Sequence, residues 1–192
     1  MTRRRFCVPV LSADDGASLW SEEFVQRLHK AVGWEPLTGR MLNALVLELA
    51  PNSVVMQAGV HVGDDFVVMA KNQQLRRPEL NLTWLGVDPD ETKVAFVRSV
   101  VAANGIARAS VLHGALGAHD GTTGALLRDS QAGGWSVAPQ QGGEGGGARA
   151  EFDMFTVDAI LKRLQRHHAT PLRLGLLHLD VERPRHAPFF HS

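Results

Sequence analysis

The strongest constraint on the fold is an alternation of strand-like and helix-like segments in the middle of the chain. A short run rich in β-branched residues, Ser53 to Met56, precedes a turn from Gly59 to Gly63, and a helical pattern then runs from Phe66 to Asn72. A buried strand, a glycine turn and a helix in this order form the opening of a βαβ unit. The segment therefore predicts a parallel sheet with helices packed on it.

The same alternation continues along the chain. A second apolar run, Leu82 to Val87, is followed by a helical pattern from Glu91 to Ala103 that the pair Asn104-Gly105 ends. Ala109 to His113 then has the composition of a third strand. Repeated strand and helix segments of this kind indicate an α/β domain with a mostly parallel sheet.

Helical patterns come before this region and a glycine-rich stretch follows it. The segments Ser21–Val32 and Gly39–Ala50 predict a helical extension over residues 1–50. The main domain is expected to span 51–182, with a glycine-rich loop at about 129–149, and 183–192 form a short tail. Within the domain we expect a strand at Glu151–Val157, a helix at Asp158–His167 with Asp158 as its N-cap, and a last strand at Leu172–Val181.

Charge and cysteine content exclude several classes of protein. The chain of 192 residues carries 20 Lys and Arg against 20 Asp and Glu, so a broad nucleic-acid footprint is not expected. A single cysteine, Cys7, excludes an internal disulfide framework and a cysteine-based zinc cluster. No apolar run approaches a membrane span, and the basic start at Arg3–Arg5 leads into an apolar stretch too short for a signal peptide. A cytoplasmic protein is the default prediction, and a weak targeting sequence stays open.

The glycine turn and Asp88 together suggest a pocket for a nucleoside. A glycine turn at a helix start presents free N–H groups, although the same glycines can serve tight packing alone. The turn lacks the third glycine of a dinucleotide motif and the Lys of a P-loop, which disfavours NAD and nucleoside triphosphates. Asp88 ends the second strand, where a carboxylate can accept from both hydroxyls of a ribose, or simply form a solvated turn.

A second group of polar residues ends the last predicted strand. His178, Asp180 and Glu182 are two residues apart, so they share one face of a strand. One carboxylate could act as a general base at the carboxyl edge of the sheet. The three could instead bind a divalent metal, or they could be polar side chains meeting water at a strand end.

Five segments occur in the order of a known family. They are Gln57-Ala58-Gly59-Val60-His61-Val62-Gly63, Asp88-Pro89-Asp90, Ala115-Leu116-Gly117-Ala118-His119-Asp120-Gly121, Thr156-Val157-Asp158-Ala159-Ile160, and Leu174 to Arg183 around Asp180-Val181-Glu182. Together they resemble the FkbM-type family of S-adenosylmethionine-dependent methyltransferases. The resemblance covers about Ser53 to Glu182.

The resemblance implies a fold, a cofactor and a reaction. The fold would be a Rossmann-like class I methyltransferase sheet. S-adenosylmethionine would be bound by Gln57, Gly59, His61, Gly63 and Asp88, with no metal in the site. The acceptor would be a hydroxyl of a sugar, glycan or small metabolite, facing Asp180 and Glu182.

Several positions depart from the family pattern and support a second hypothesis. Gln57 replaces the acid of the first motif, His61 its asparagine, and Arg183 the glycine after the last motif. The residues after Glu182 are also too few for the last strands of the family sheet, which predicts a C-terminally truncated domain. The strand before Asp180 would then be an exposed edge that a second copy of the chain could cover. The alternative is therefore a catalytically impaired methyltransferase fold that acts as a binding module.

Overall fold

The computed structural model describes residues 36–128, 135–139 and 150–181. The first half contains α1 (Pro36–Leu47), β1 (Ser53–Ala58), α2 (Asp64–Arg76), a 3-10 turn (Pro78–Leu80), β2 (Thr83–Asp88), α3 (Glu91–Ala103) and β3 (Ala109–His113). The second half contains β4 (Ala115–Leu116), β5 (Thr122–Arg128), β6 (Trp135–Pro139), β7 (Ala150–Phe155), α4 (Val157–Gln165) and β8 (Arg173–Leu179). The predicted helix Ser21–Val32, most of the predicted loop 129–149 and the tail 183–192 lie outside the described residues.

The main sheet is parallel and has the order β3-β2-β1-β8. β1 pairs with β2 on one side and with β8 on the other, and β2 pairs with β3. This is the arrangement of a Rossmann-like sheet, in which a crossover returns the chain to the other side of the first strand. The predicted α/β class with a mostly parallel sheet is confirmed.

The larger core lies on the face of the sheet that α2 and α3 cover. All six residues of β1 are buried, as are all six of β2. Trp84 of β2 meets Phe66 of α2 edge to face, with ring centroids 6.0 Å apart. Its indole N–H donates to the side-chain oxygen of the buried Gln73 at 3.3 Å. A polar residue of α2 is thereby accommodated inside the core.

The opposite face of the sheet has a smaller core. Met56 of β1 and Leu85 and Val87 of β2 cluster there with Phe155 and with Ile160 of α4. These three strand residues alternate with those that face α2 and α3, as the pleat of a strand requires. Both faces of the two central strands are therefore covered, which explains why β1 and β2 are apolar without alternation.

Helix α3 follows the sequence prediction residue for residue. The Asp90 side chain accepts from the backbone N–H groups of Thr92 and Lys93, so Asp90 is the N-cap. Asn104 follows the last helical residue and Gly105 has a positive φ of 56°, which ends the helix. Helices α1 and α2 differ from prediction at their ends: α1 begins at Pro36 and ends at Leu47, and α2 spans Asp64 to Arg76.

The region predicted as a glycine-rich loop contains part of a second sheet. Its order is β4-β7-β5-β6, with β5 antiparallel to both β6 and β7. The sequence did not reveal β5, since Thr122-Thr123-Gly124 has little of the apolar alternation that marks a strand. Gly124 packs against Phe152 of β7, where a Cβ would lie 2.5 Å from the ring.

The N-cap of α4 is Thr156 and not the predicted Asp158. The Thr156 hydroxyl accepts from the backbone N–H of Ala159 at 3.1 Å. Asp158 lies inside the first helical turn and is exposed. The prediction was wrong by two residues because both side chains are common N-caps, and the backbone geometry decides which one is used.

Strand β8 lies at one end of the main sheet in the described part of the chain. It pairs with β1 alone, and the register shifts at Gly175, where a Cβ would lie 2.8 Å from the Cβ of Ser53. Leu177 and Leu179 remain 37% and 56% exposed although they belong to a strand beside the core. Among the described strands β8 has β1 as its one neighbour, and the truncation and exposed edge stay predictions.

A helix that crosses a bilayer must be both long and apolar. No helix in the described ranges is long and apolar enough to do so.

Replacing Thr156 with Val should lower the free energy of unfolding by about 1 kcal/mol, because the first turn of α4 loses its cap. Thr156→Ser keeps the hydroxyl and should restore most of the stability. Asp158→Ala, measured by the same urea unfolding, should cost less than half as much. A larger loss from Asp158→Ala than from Thr156→Val would contradict the assignment.

Candidate functional site

Four parallel strands of the main sheet end at the same edge, where the chain concentrates polar residues. The turn Gly59–Gly63 follows β1, Asp88 ends β2, His113 ends β3, and Asp180 follows β8. Ligands of open α/β sheets bind outside the carboxyl ends of the strands, at the point where the strand order reverses. Here the order reverses at β1, which has β2 on one side and β8 on the other.

The carboxylate of Asp88 ties two of these strand ends together. It is 4% exposed. One oxygen accepts from the backbone N–H of His61 at 2.8 Å, and the other accepts from the backbone N–H of Asp90 at 3.0 Å. Asp88 thus fixes the turn after β1 and the start of α3 at once. Each oxygen keeps a second lone pair that could accept from a ligand hydroxyl.

Burial raises the pKa of Asp88 above its ordinary value, because the charged form loses hydration. The two backbone N–H groups and the ammonium of Lys93 oppose that effect and favour the carboxylate. Nζ of Lys93 lies 3.9 Å from Oδ2 of Asp90, so a positive charge lies beside this end of the sheet.

His61 takes a backbone conformation that few residues adopt. Its φ is +48°, in the left-handed region where asparagine and glycine are the usual occupants. The side chain is exposed, yet its surroundings still lower the pKa of His61, first by loss of hydration and then through the nearby Lys93. Asp64 and Asp90 act in the opposite direction. At neutral pH the ring is therefore an uncharged donor and acceptor at the mouth of the turn.

Gly59 is required by the fold itself. It has a φ of +76°, and a Cβ at this position would lie 1.8 Å from the carbonyl oxygen of Asp180. The same segment is held by a hydrogen bond from the N–H of Asp180 to the carbonyl of Ala58 at 2.9 Å. The missing side chain therefore admits the end of β8. Tight packing was one of the two interpretations that the sequence left open for this glycine.

Gly63 has a similar structural reason. Its φ is +79°, and a Cβ would lie 2.9 Å from a methyl group of Val97 in α3. The glycine lets α2 begin directly against α3. Both glycines of the predicted motif thus shape the turn, and their role in ligand binding stays a prediction.

Gln57, which is buried, and His178, which is half-buried, each have a buried side-chain atom without a partner. They are directly opposite each other in the register of β1 and β8, so their side chains share one face of the sheet. Gln57 is 2% exposed. Its side-chain oxygen and Nδ1 of His178 are both buried and have no hydrogen-bond partner. An unsatisfied buried polar atom typically costs about 1–3 kcal/mol, so each has a reason to bind something.

The two predicted catalytic carboxylates are not both described. Asp180 is exposed and comes directly after the end of β8, at the carboxyl edge. Glu182 lies outside the described residues. Within those residues no three His, Cys, Asp or Glu side chains are grouped as metal ligands.

His113 is a residue of this edge that sequence reasoning missed. It lies opposite Asp88 in the register of β2 and β3, and its Nε2 is 3.0 Å from the carbonyl oxygen of Pro89. The signal was its place at the end of the third predicted strand, next to the strand that carries Asp88. Its contact steadies the backbone between Asp88 and Asp90.

Taken together, the edge offers acceptors more than donors. Asp88 supplies an ionisable carboxylate, Gln57 supplies a neutral amide oxygen, and His61 and His178 supply imidazole nitrogens. Such a set suits a ligand that carries hydroxyl and N–H groups.

A comparison with solved structures found a distant structural likeness. The chain is similar to a COG1565 superfamily member from Burkholderia thailandensis, named as a methyl transferase candidate and solved with S-adenosyl-homocysteine bound, at 15% identity and a TM-score of 0.31. The likeness covers 70% of this chain and 53% of that protein, so it spans about half of the other protein's length. No family model matches the chain, and no curated protein matches it. The FkbM-type resemblance therefore stays a prediction.

Gly59→Ala should destabilise the fold far more than the same substitution at Gly121, a glycine that has a similar φ but open space where the Cβ would lie. Gly121 has a φ of +75° and no atom within 4 Å of the place where a Cβ would lie, so Gly121→Ala should cost only about 1–2 kcal/mol of backbone strain. Gly59→Ala adds the clash with Asp180 and should cost about 2 kcal/mol more. Denaturant unfolding of both variants measures this, and equal losses would show that β8 does not lie against Gly59.

The stability contribution of Asp88 should depend on pH. Because its folded pKa is raised, the ionised form is disfavoured by folding, and wild type should lose stability relative to Asp88→Asn as pH rises from the ordinary value of 3.8 through the raised value. Urea unfolding of both proteins between about pH 3.5 and 7 measures the difference. A difference that is flat or that moves in favour of wild type with rising pH would contradict the raised pKa.

Proposed function

We propose that the chain is a methyltransferase-type domain that binds S-adenosylmethionine at the carboxyl edge of the main sheet. The observation that carries the proposal is the hydrogen bond between the turn after β1 and Asp88 at the end of β2. It joins the two segments whose sequence most resembles the FkbM-type motifs.

The residues present fit the cofactor in two respects. The ribose has two hydroxyls, and the carboxylate of Asp88 retains acceptor capacity beyond its two backbone hydrogen bonds. The cofactor's amino-acid part carries an ammonium group, and Gln57 offers a buried side-chain oxygen with no partner. A neutral amide binds an ammonium less strongly than the family's acid would, so we expect modest affinity.

The proposed reaction is transfer of a methyl group to a hydroxyl of a sugar, glycan or small metabolite. The bound cofactor would supply an activated methyl on its sulfonium. The protein would then need to orient the acceptor and help remove the hydroxyl proton. Asp180 is the described residue proposed for the proton, and Glu182 is the second candidate.

A binding module without catalysis is the second candidate function. Both oxygens of Asp88 already accept backbone hydrogen bonds, and Gln57 stands where the family has an acid. Leu177 and Leu179, exposed on the edge strand β8, favour an interaction role. The partner proposed for that edge is a second copy of the chain, since unpaired strand edges readily pair with another strand.

Isothermal titration calorimetry of the full chain with S-adenosylmethionine, S-adenosylhomocysteine and NADH tests the proposal. We expect saturable binding of the first two, none of NADH, and a loss of affinity of roughly tenfold in Asp88→Asn, which replaces one acceptor oxygen with a donor. Asp158→Asn, an exposed carboxylate of α4, is the control and should bind as wild type does. A folded wild-type sample that binds neither adenosyl compound would overturn the proposal.

A further inference from the structure

The most unusual feature of the described residues is the pair of unpartnered polar atoms between β1 and β8. The oxygen of Gln57 and Nδ1 of His178 are the buried side-chain nitrogen and oxygen atoms found without a partner in the described part of the chain. They belong to residues that are directly opposite each other in the parallel register.

Their position connects them to the proposed binding edge. Gln57 is two residues before Gly59, and His178 is two residues before Asp180, so both precede the close contact between Gly59 and Asp180. On the same face, Gln57 lies next to Gly86 of β2, and Asp88 follows two residues later. Asp88, Gln57 and His178 therefore lie on one face of the sheet, near the carboxyl ends of β2, β1 and β8.

The chemistry of the two atoms restricts what they can bind. An amide oxygen only accepts, so Gln57 needs an N–H or O–H donor. An imidazole Nδ1 accepts in one tautomer and donates in the other. A group with N–H donors next to a carboxylate, such as the ammonium and carboxylate of an α-amino acid, satisfies both atoms in either tautomer.

We infer that His178, together with Gln57, binds the amino-acid end of the adenosyl ligand and sets the affinity for that end. This inference rests on the proposed function. It assigns to His178 a role in ligand selection that differs from metal binding and from proton removal. In this arrangement two neutral groups on neighbouring strands would take the place of the single acid in the first motif of the FkbM-type family.

The test compares two ligands that differ only at the relevant end. S-adenosylhomocysteine carries the amino-acid group, and 5′-methylthioadenosine has a methyl group in its place. Binding of both to the full chain is measured by calorimetry for wild type, His178→Leu, His178→Gln and Gln57→Leu. Arg173→Ala is the control, because Arg173 is an exposed residue at the opposite end of β8. The unfolding midpoint of each variant is measured alongside.

We expect His178→Leu and Gln57→Leu to weaken S-adenosylhomocysteine binding by roughly tenfold, the loss typical of one hydrogen bond to a charged group. Binding of 5′-methylthioadenosine should stay within about twofold, which is too small to represent a lost hydrogen bond. His178→Gln keeps a hydrogen-bonding side chain and should retain most of the affinity, and Arg173→Ala should match wild type.

Four outcomes would overturn the inference. Equal losses for both ligands would mean that His178 acts on the fold of the whole site. Unchanged binding of S-adenosylhomocysteine in His178→Leu would mean that the ligand does not reach it. Wild type binding both ligands equally would show that the amino-acid end contributes nothing, while the proposed function would stand. Wild type binding neither ligand would remove the proposed function as well.

Discussion

The rest of the structure depends on the complete burial of β1. Each residue of this strand is buried, so its backbone groups must find partners within the protein on both sides. β2 supplies one set and β8 supplies the other. This requirement brings Gly59 against Asp180 and Gln57 against His178. The candidate site is thus a by-product of satisfying one buried strand.

Asp88 shows how one carboxylate can serve both fold and function. Its burial is unfavourable for a charge, and two backbone N–H groups compensate for part of that cost. Those bonds leave the turn after β1 in a fixed position, with His61 in a left-handed conformation. A site that is already ordered loses little ligand binding energy to the ordering of loops. In return, fewer lone pairs of Asp88 remain for the ligand.

The sequence predicted those elements that local signals specify. α3 was predicted at both ends, with Asn104-Gly105 as the signal for its end, and the sheet class followed from the repeated alternation of strand and helix segments. The second sheet was predicted only in part: β7 was expected at Glu151–Val157, but β5 was missed, since it has no apolar alternation. Gly59 was predicted at the strand end where the structure has it, but its physical role depends on Asp180, far away in the sequence. No local sequence pattern could predict the contact between Gly59 and Asp180.

The long separation between β1 and β8 has a consequence for how the site is assembled during folding. β1, β2 and β3 follow one another with single helices between them, so their pairing closes short loops. β8 reaches β1 only after the chain has passed through the second sheet and α4, which gives that pairing the highest contact order in the main sheet. The half of the site that holds Asp88 can therefore form from a continuous segment. The half that holds His178 exists only once the most distant strand has docked, so a bound ligand that bridges the two halves would favour the fully folded chain over any partly folded form.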